Sequence, residues 1–265
     1  KEQKENNLKF LKQSRRIKID KRLIKKIILK FLIKLKLIYR DDINNQQKLY
    51  KERLNKIEKS FEEIKKEKSV KKIIFIPLHL QPELSTSILG GHYEDQILAI
   101  ERLSSFAKNK WIVVVKEHPF QKSFQRDKFF FRRLNFLKNV FFVDNRINSK
   151  DILNISDLTA TVGGTIGFES LTENKKTLVF GNTWFKNCHG VLKVDDKTSN
   201  EEINNFVDSK FNKIQAENDL LKILSNSYDG LIDLDRKYLV KNFDQNKNAD
   251  LLINNINKFI KNNFK

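Results

Sequence analysis

The residues best suited to chemistry stand in two short stretches, Lys116-Glu117-His118-Pro119 and Gly163-Gly164-Thr165-Ile166-Gly167. The first supplies a cation, a carboxylate and an imidazole. Proline after the imidazole restricts His118 to extended geometry. A histidine held this way could hydrogen-bond a phosphate or protonate a leaving oxygen; equally, it could cap a sheet edge. The second stretch puts glycines where a strand gives out and a hydroxyl where a helix starts. Glycine lets backbone N–H groups approach a ligand, and a helix N-terminus favours an anion. Thr165 can cap its own helix or donate to a phosphate oxygen. Glu169, four residues on, can accept two ribose hydroxyls or face solvent and complement the helix dipole. A tight capped turn is the plainer reading of the whole stretch.

Some chemistries are excluded. No Lys-Ser/Thr follows the glycines, so this is not a nucleoside-triphosphate P-loop, and a place after the fourth strand makes it a poor dinucleotide fingerprint. A third polar group, His79, Gln81 and Glu83, lies in the stretch from Pro77 to Gly91. Their alternate spacing would turn all three one way if that backbone were extended. His79, His118, His189 and Glu83 show no pair with usual zinc-ligand spacing, so no metal is expected. Ser85 and Ser87 lack the pattern of an activated nucleophile.

These groups need elements to position them. Apolar runs predict strands at 70–76, 111–115, 140–143, 159–162, 177–180 and 191–194. Helical periodicity predicts helices at 93–108, 127–137, 149–156 (with Ser149 as cap), 165–172, 199–209 and 216–224, and two more between 231 and 263. Such alternation indicates an α/β fold, a doubly wound parallel sheet of five or six strands. Open sheets of this class bind ligands along the carboxyl edge, where the polar strand ends would share one crevice. All three prolines, all four histidines and seven of the eight glycines fall between positions 77 and 190. That distribution says where the chemistry is rather than what it is.

The flanks differ in texture. Residues 17–39 alternate apolar and basic pairs, with Leu23, Ile27, Ile28, Phe31, Leu32 and Leu35 on one face. Either another part of the protein or an anionic membrane surface would cover such a face. Residues 45–68 predict a charged surface or spacer helix. The expected division is a basic, amphipathic helical segment over 1–69 and an α/β domain with C-terminal helices over 70–265.

The chain has 265 residues, 52 Lys and Arg against 33 Asp and Glu, and a net charge of +19. That balance suits an anionic substrate, membrane surface or nucleic acid, although Lys, Asn, Ile and Phe are abundant throughout. A single cysteine, Cys188, excludes an intrachain disulfide. Methionine is absent even at position 1, as expected of a fragment or trimmed product. No secretory signal or apolar run of membrane-spanning length appears.

Pro77-Leu-His-Leu-Gln-Pro-Glu-Leu-Ser-Thr86, Asp95-Gln96, Lys116-Glu-His-Pro119, Gly164-Thr-Ile-Gly-Phe-Glu169 and Gly181-Asn-Thr-Trp184 come in an order that resembles bacterial capsular and surface polysaccharide biosynthesis glycosyltransferases, above all their Kdo-transferase group. The resemblance covers about Val70 to Val194. It implies a Rossmann-like C-terminal half of a GT-B enzyme with extra N-terminal helices, binding a CMP-activated, Kdo-like sugar and no further cofactor. By the same resemblance His118 contacts the donor phosphate, with Lys116, Glu117, Gly163, Gly164 and Thr165 beside it, and Glu169 holds the ribose. His79, Gln81 and Glu83 fall on the sugar or acceptor side, and His118 and Glu83 are the catalytic candidates. A glycan or glycolipid acceptor, an N-terminal acceptor domain and a cytoplasmic site with peripheral contact to an anionic membrane are implied partners and location. Only 69 residues precede the first strand, too few for a second Rossmann-like domain. The rival expectations are a non-enzymatic basic module binding nucleic acid or anionic membrane, and a nucleotide-sugar epimerase.

Overall fold

The computed structural model describes residues 58–108, 110–121, 126, 128–232, 237 and 240–263, together with Ile27, Lys48, Leu49, Glu52 and Leu54. Two compact units divide the chain: Lys1–Lys56 with Lys122–Phe131, and Ile57–Gln121 with Arg132–Lys265. In the first, the five isolated positions just named are helical, and the Arg126 guanidinium lies 5.2 Å from the Phe130 ring. The expected helix at 17–39 lies outside the described residues except for Ile27, which is exposed.

The second unit carries the sheet. Its elements run α1 (Phe61–Lys68), β1 (Lys72–Pro77), α2 (Leu84–Ser87), a 3-10 turn (Gly91–Glu94), α3 (Gln96–Ala107), β2 (Trp111–Lys116), α4 (Lys128–Leu134), β3 (Val140–Val143), α5 (Ser149–Ile155), β4 (Leu158–Thr161), α6 (Ile166–Thr172), β5 (Thr177–Val179), β6 (Val191–Lys193), α7 (Asn200–Asp208), α8 (Lys213–Ser225) and α9 (Gln245–Asn263). α4 straddles the boundary between the two units.

All six strands are parallel, in the order β3-β2-β1-β4-β5-β6. The chain first winds outward from β1 through β2 to β3, then crosses back to β4 on the other side of β1. This is the doubly wound Rossmann order, whose topological switch point lies between β1 and β4. The apolar runs make it so. Ile73–Ile76 and Trp111–Val115 are buried throughout, as strands covered on both faces must be. One face collects Ile73, Phe75, Ile112, Val114 and Val143 under Ile64 of α1 and Ile152 and Leu153 of α5.

Three expectations change. Residues 45–68 do not form one helix, because Ser60 and Glu63 form a capping box that starts α1 afresh. Before it, Glu58 bridges to Phe142 and the Lys59 N–H donates to the Phe142 carbonyl at 2.8 Å, so the chain adds a short parallel rung beside β3. Ile64 is fully buried, and α1 is core rather than spacer. Secondly, Asn148 rather than Ser149 caps α5, its side chain accepting from the Lys150 N–H at 2.9 Å. Thirdly, the backbone from Pro77 to Gly91 is not extended throughout. It holds α2, whose first turn closes on the Glu83 carbonyl. Of the two helices expected between 231 and 263, the described residues contain α9, which has no buried residue. No helix among the described residues is long and apolar enough to cross a membrane.

Candidate functional site at the carboxyl edge

Register fixes which residues can meet. Pro77 pairs with Lys116, and Phe75 pairs with Thr159, so counting on two residues sets Pro77 level with Thr161. Two residues beyond these, His118, His79 and Gly163 form a row over β2, β1 and β4, with neighbouring strands about 4.8 Å apart. All three leave the same edge of the sheet, at and beside the switch point. His118 and Gly163 are therefore separated by two strand spacings, roughly 10 Å of backbone. The histidine that touches the glycine turn is His79.

His79 is buried, 8% exposed. The Gly163 N–H donates to its Nε2 at 3.3 Å, which leaves that nitrogen unprotonated. The Thr161 hydroxyl, 3.1 Å away, is then the donor to the same nitrogen, and the neutral ring carries its proton on Nδ1. Thr161 Oγ1 in turn accepts from the Gly164 N–H at 2.8 Å. Gln96, 1% exposed, clamps the His79 backbone: Oε1 accepts from its N–H at 2.8 Å and Nε2 donates to its carbonyl at 3.1 Å. Thus the glycine turn, the end of β4, the exit from β1 and the start of α3 form one hydrogen-bonded knot. The Gly163 contact is the longest of the three around Thr161 and His79, and long hydrogen bonds are weak ones.

Gly164 owes its identity to this knot. A Cβ there would lie 2.7 Å from His79 Cε1 and 3.1 Å from Thr161 Oγ1. Gly164→Ala is expected to lower stability by about 1–3 kcal/mol through overpacking. Adding His79→Ala, which removes the obstructing ring, should make the combined loss smaller than the sum of the two single losses by about 0.5–3 kcal/mol. Denaturant midpoints of the four proteins test this; additive losses would place the strain elsewhere.

On β2, Lys116 is buried and donates to Ser149 Oγ at 3.0 Å. Burial holds its pKa below the ordinary lysine value. Glu117 is also buried, and its Oε1 accepts from the His118 N–H at 2.8 Å. Both side chains serve the strand end from inside. His118 is half-buried, with its Nδ1 accepting from the Phe120 N–H at 3.2 Å, so its neutral form carries the proton on Nε2. Phe120 beside it is 77% exposed, its ring centroid 5.7 Å from that of His118.

The first turn of α6 also differs from expectation. Thr165 has helical backbone angles and makes no side-chain cap; its hydroxyl donates instead to Glu169 Oε1 at 3.1 Å, and both side chains are exposed. His79, Gln81 and Glu83 do not turn one way. His79 faces the glycine turn, Gln81 donates through Nε2 to the Glu94 carbonyl, and Glu83 is exposed at the foot of α2. Gln81 does join the two loops, since its N–H donates to Gln121 Oε1 at 2.8 Å.

The fourth histidine leaves the group. His189 precedes β6 at the amino edge, where its Nε2 accepts from the Asn212 N–H at 2.8 Å and its own N–H donates to Asp219 at 2.7 Å. A cavity of about 470 Å³ there is lined by Lys176, Cys188, His189 and Asp219 among others. Lys176 spends its ammonium on the carbonyls of Phe206 and Val207 at the end of α7, and burial pushes the Cys188 thiol up to about 11. That edge is structural.

Sequence reasoning gave no role to Thr161 or Gln96. A threonine closing an apolar strand just before two glycines was the available signal for Thr161. Gln96 opens an amphipathic helix and reads as exposed until β1 is placed beside it.

Comparison with known proteins bears on this architecture. The model of the family described as capsule polysaccharide biosynthesis protein matches residues 21–218. No curated protein matches. Among solved structures, S. aureus MnaA with UDP is 16% identical with a TM-score of 0.41, over 58% of this chain and 41% of that one. The Thermosulfurimonas dismutans KpsC beta Kdo 2,7 transferase is 16% identical with a TM-score of 0.37, over 74% and 65%. UDP-GlcNAc 2-epimerase from Methanocaldococcus jannaschii, in complex with UDP-GlcNAc and UDP, is 15% identical with a TM-score of 0.40, over 67% and 52%. The chain spans 41% to 65% of the length of these three. With the matched region running from ahead of the sheet to α8, and its polar strand ends gathered at the switch point, the chain belongs to the capsule polysaccharide biosynthesis protein family.

Proposed function

We propose that this chain is the donor-binding half of a glycosyltransferase of capsular or surface polysaccharide synthesis, taking a CMP-activated, Kdo-like sugar. One observation carries the reading: the row of His118, His79 and Gly163 across the switch point, where open α/β sheets hold nucleotides. In this reading the donor phosphate sits over β1 between His118 and the Gly163–Thr165 turn. A phosphate oxygen takes the Gly163 N–H in exchange for the long contact to His79. His118, protonated on Nε2, donates to the phosphate and neutralises charge as the bond from sugar carbon to phosphate oxygen breaks. Glu169 accepts the ribose hydroxyls in place of Thr165. Gln81 and Glu83 lie toward the sugar, with Glu83 placed to accept the acceptor's proton. Lys116 and Glu117 support His118 from beneath. Catalysis rests on positioning and on stabilising the departing phosphate.

The reading assigns this chain the donor side. A glycan or glycolipid acceptor would be held by an acceptor-binding domain, at the cytoplasmic face of an anionic membrane. Calorimetric titration with CMP, UMP, UDP and GDP tests the donor class. Preferential binding of CMP is expected; a preference for UDP would favour an epimerase-like donor, and no binding by any of the four would overturn the proposal.

A further inference from the structure

Charge is divided unevenly between the two edges of the sheet. The stretch from Pro77 to Asp95 at the carboxyl edge holds Glu83, Glu94 and Asp95 and no Lys or Arg, whereas Lys65 to Lys72, leading into β1 at the amino edge, holds five lysines against Glu67. Two more turns on this half of the sheet, away from His189, add Lys108 and Lys110 before β2 and Lys138 before β3. Register gathers them. Lys72 pairs with Trp111 and Val113 with Val140, so counting back two residues sets Lys138 level with Trp111 and Lys72. The turns are also tied together. The Lys72 N–H donates to the Lys110 carbonyl at 3.2 Å, and Asn139 Nδ2 donates to the carbonyls of Ser104 and Lys108 at 3.1 and 3.2 Å.

Only part of this charge serves the fold. Lys68 pairs with Asp157 and Lys71 with Glu67 at 3.8 Å, and Lys72 Nζ lies 5.1 Å from the centre of the Trp111 ring. Lys66, Lys108, Lys110 and Lys138 are exposed and form no ion pair among the described residues. Two apolar side chains stand with them: Val70, 80% exposed in the turn before β1, and Phe136, 75% exposed in the turn before β3. Like charges gathered this closely repel one another, and apolar side chains held out in water are unfavourable. Both penalties are relieved by one kind of surface, negative outside and apolar beneath.

We propose that the amino edge over β1, β2 and β3 is a docking surface for an anionic lipid bilayer. Lys66, Lys108, Lys110 and Lys138 meet the headgroups, while Val70 and Phe136 enter the boundary between headgroups and acyl chains. One such signal alone holds a protein weakly, and a basic patch combined with an apolar anchor holds it stably. Nucleic acid would also suit the charge. An exposed valine, however, has no face on which a base can stack, and the three turns hold no arginine to clamp a phosphate. β1 and β2 are six residues long, so the carboxyl edge stands roughly 20 Å from this surface. The inference is independent of which ligand that far edge takes.

The test floats the full chain with vesicles of mixed phosphatidylglycerol and phosphatidylcholine, and with vesicles of phosphatidylcholine alone. Binding should require phosphatidylglycerol and fade as salt is raised. Lys66→Gln, Lys110→Gln and Lys138→Gln together should weaken it about 100-fold, at about 5-fold for each lysine. Phe136→Ser should weaken it roughly 10-fold. All four side chains are exposed, so denaturation midpoints should stay at the wild-type value and separate lost docking from lost folding. Phe136→Trp reports the face itself. On vesicles the added indole should shift its emission to the blue and escape acrylamide, while Trp184, 52% exposed after β5 at the carboxyl edge, stays open to the quencher. Undiminished binding by the triple-lysine variant would assign the contact elsewhere in the chain, for instance to residues 17–39, and overturn the surface. So would protection of Trp184, absence of vesicle binding by wild type, or binding of a DNA duplex without binding of vesicles.

Discussion

Replacing His118 with Ala is expected to weaken CMP binding roughly 10- to 150-fold, equivalent to the 1.5–3 kcal/mol of a hydrogen bond to a charged group. Cytidine, which lacks the phosphate, should bind wild type and His118→Ala almost equally. The geometry supports this direction. Nδ1 of His118 is committed to the Phe120 N–H, so the ring presents its N–H through Nε2. The backbone beneath is fixed by Glu117 and by the turn that returns from Gln121 N–H to the His118 carbonyl at 2.9 Å. An anion nearby would also favour the protonated ring. Glu169→Gln should behave differently, weakening CMP and cytidine alike, because both carry the ribose. General unfolding would weaken every ligand with either substitution, so the paired comparison separates damage from specificity. Unchanged CMP binding by folded His118→Ala would leave the imidazole as a cap for the 118–121 turn.

Ile64→Ala should cost about 2–5 kcal/mol of folding stability, the range for removing a buried aliphatic side chain that leaves a cavity. Ile64 is fully buried with Ile73 and Phe75 of β1, Ile112 and Val114 of β2 and Ile152 of α5. Around it, Lys59 bonds Glu67 at 2.7 Å, Lys68 pairs with Asp157, and the Asp157 carboxylate accepts from the Ile73 N–H at 2.8 Å. α1 is thus bound to the central strand by packing and by charge. Denaturant unfolding measures the loss; a change below about 1 kcal/mol, ordinary for surface positions, would return α1 to the role of spacer. The same substitution should not alter the ratio of CMP to cytidine affinity in the protein that remains folded.

Much of the fold was legible because its causes are local or periodic. Ile-Ile-Phe-Ile at 73–76 and Ile-Val-Val-Val at 112–115 are too apolar for anything but strands covered on both faces, and strand ends fell within a residue or two of expectation. Helix starts were less secure. Ser60 and Asn148 each compete with plausible neighbours, and the cap is decided by which backbone N–H groups the side chain can reach, something spacing only narrows. Glu58 and Lys59 carry no sequence signal for a rung beside Phe142.

For the candidate site, the amino-acid sequence by itself determined the residue types and the edge: His-Pro after one strand, glycines after another, and histidine in a polar stretch after a third all belong where parallel strands end. Tertiary structure decided the neighbours. Strand order places β1, not β2, against β4, so His79 rather than His118 meets the Gly163–Gly164 turn, and Gln96 closes on His79 from the helix that follows. The same placement moves His189 to the opposite edge and leaves Thr161 between His79 and the Gly164 N–H, with the Gly163 N–H on His79 itself. Order and register depend on which buried faces pack together across the whole sheet, a non-local choice that no window of sequence contains.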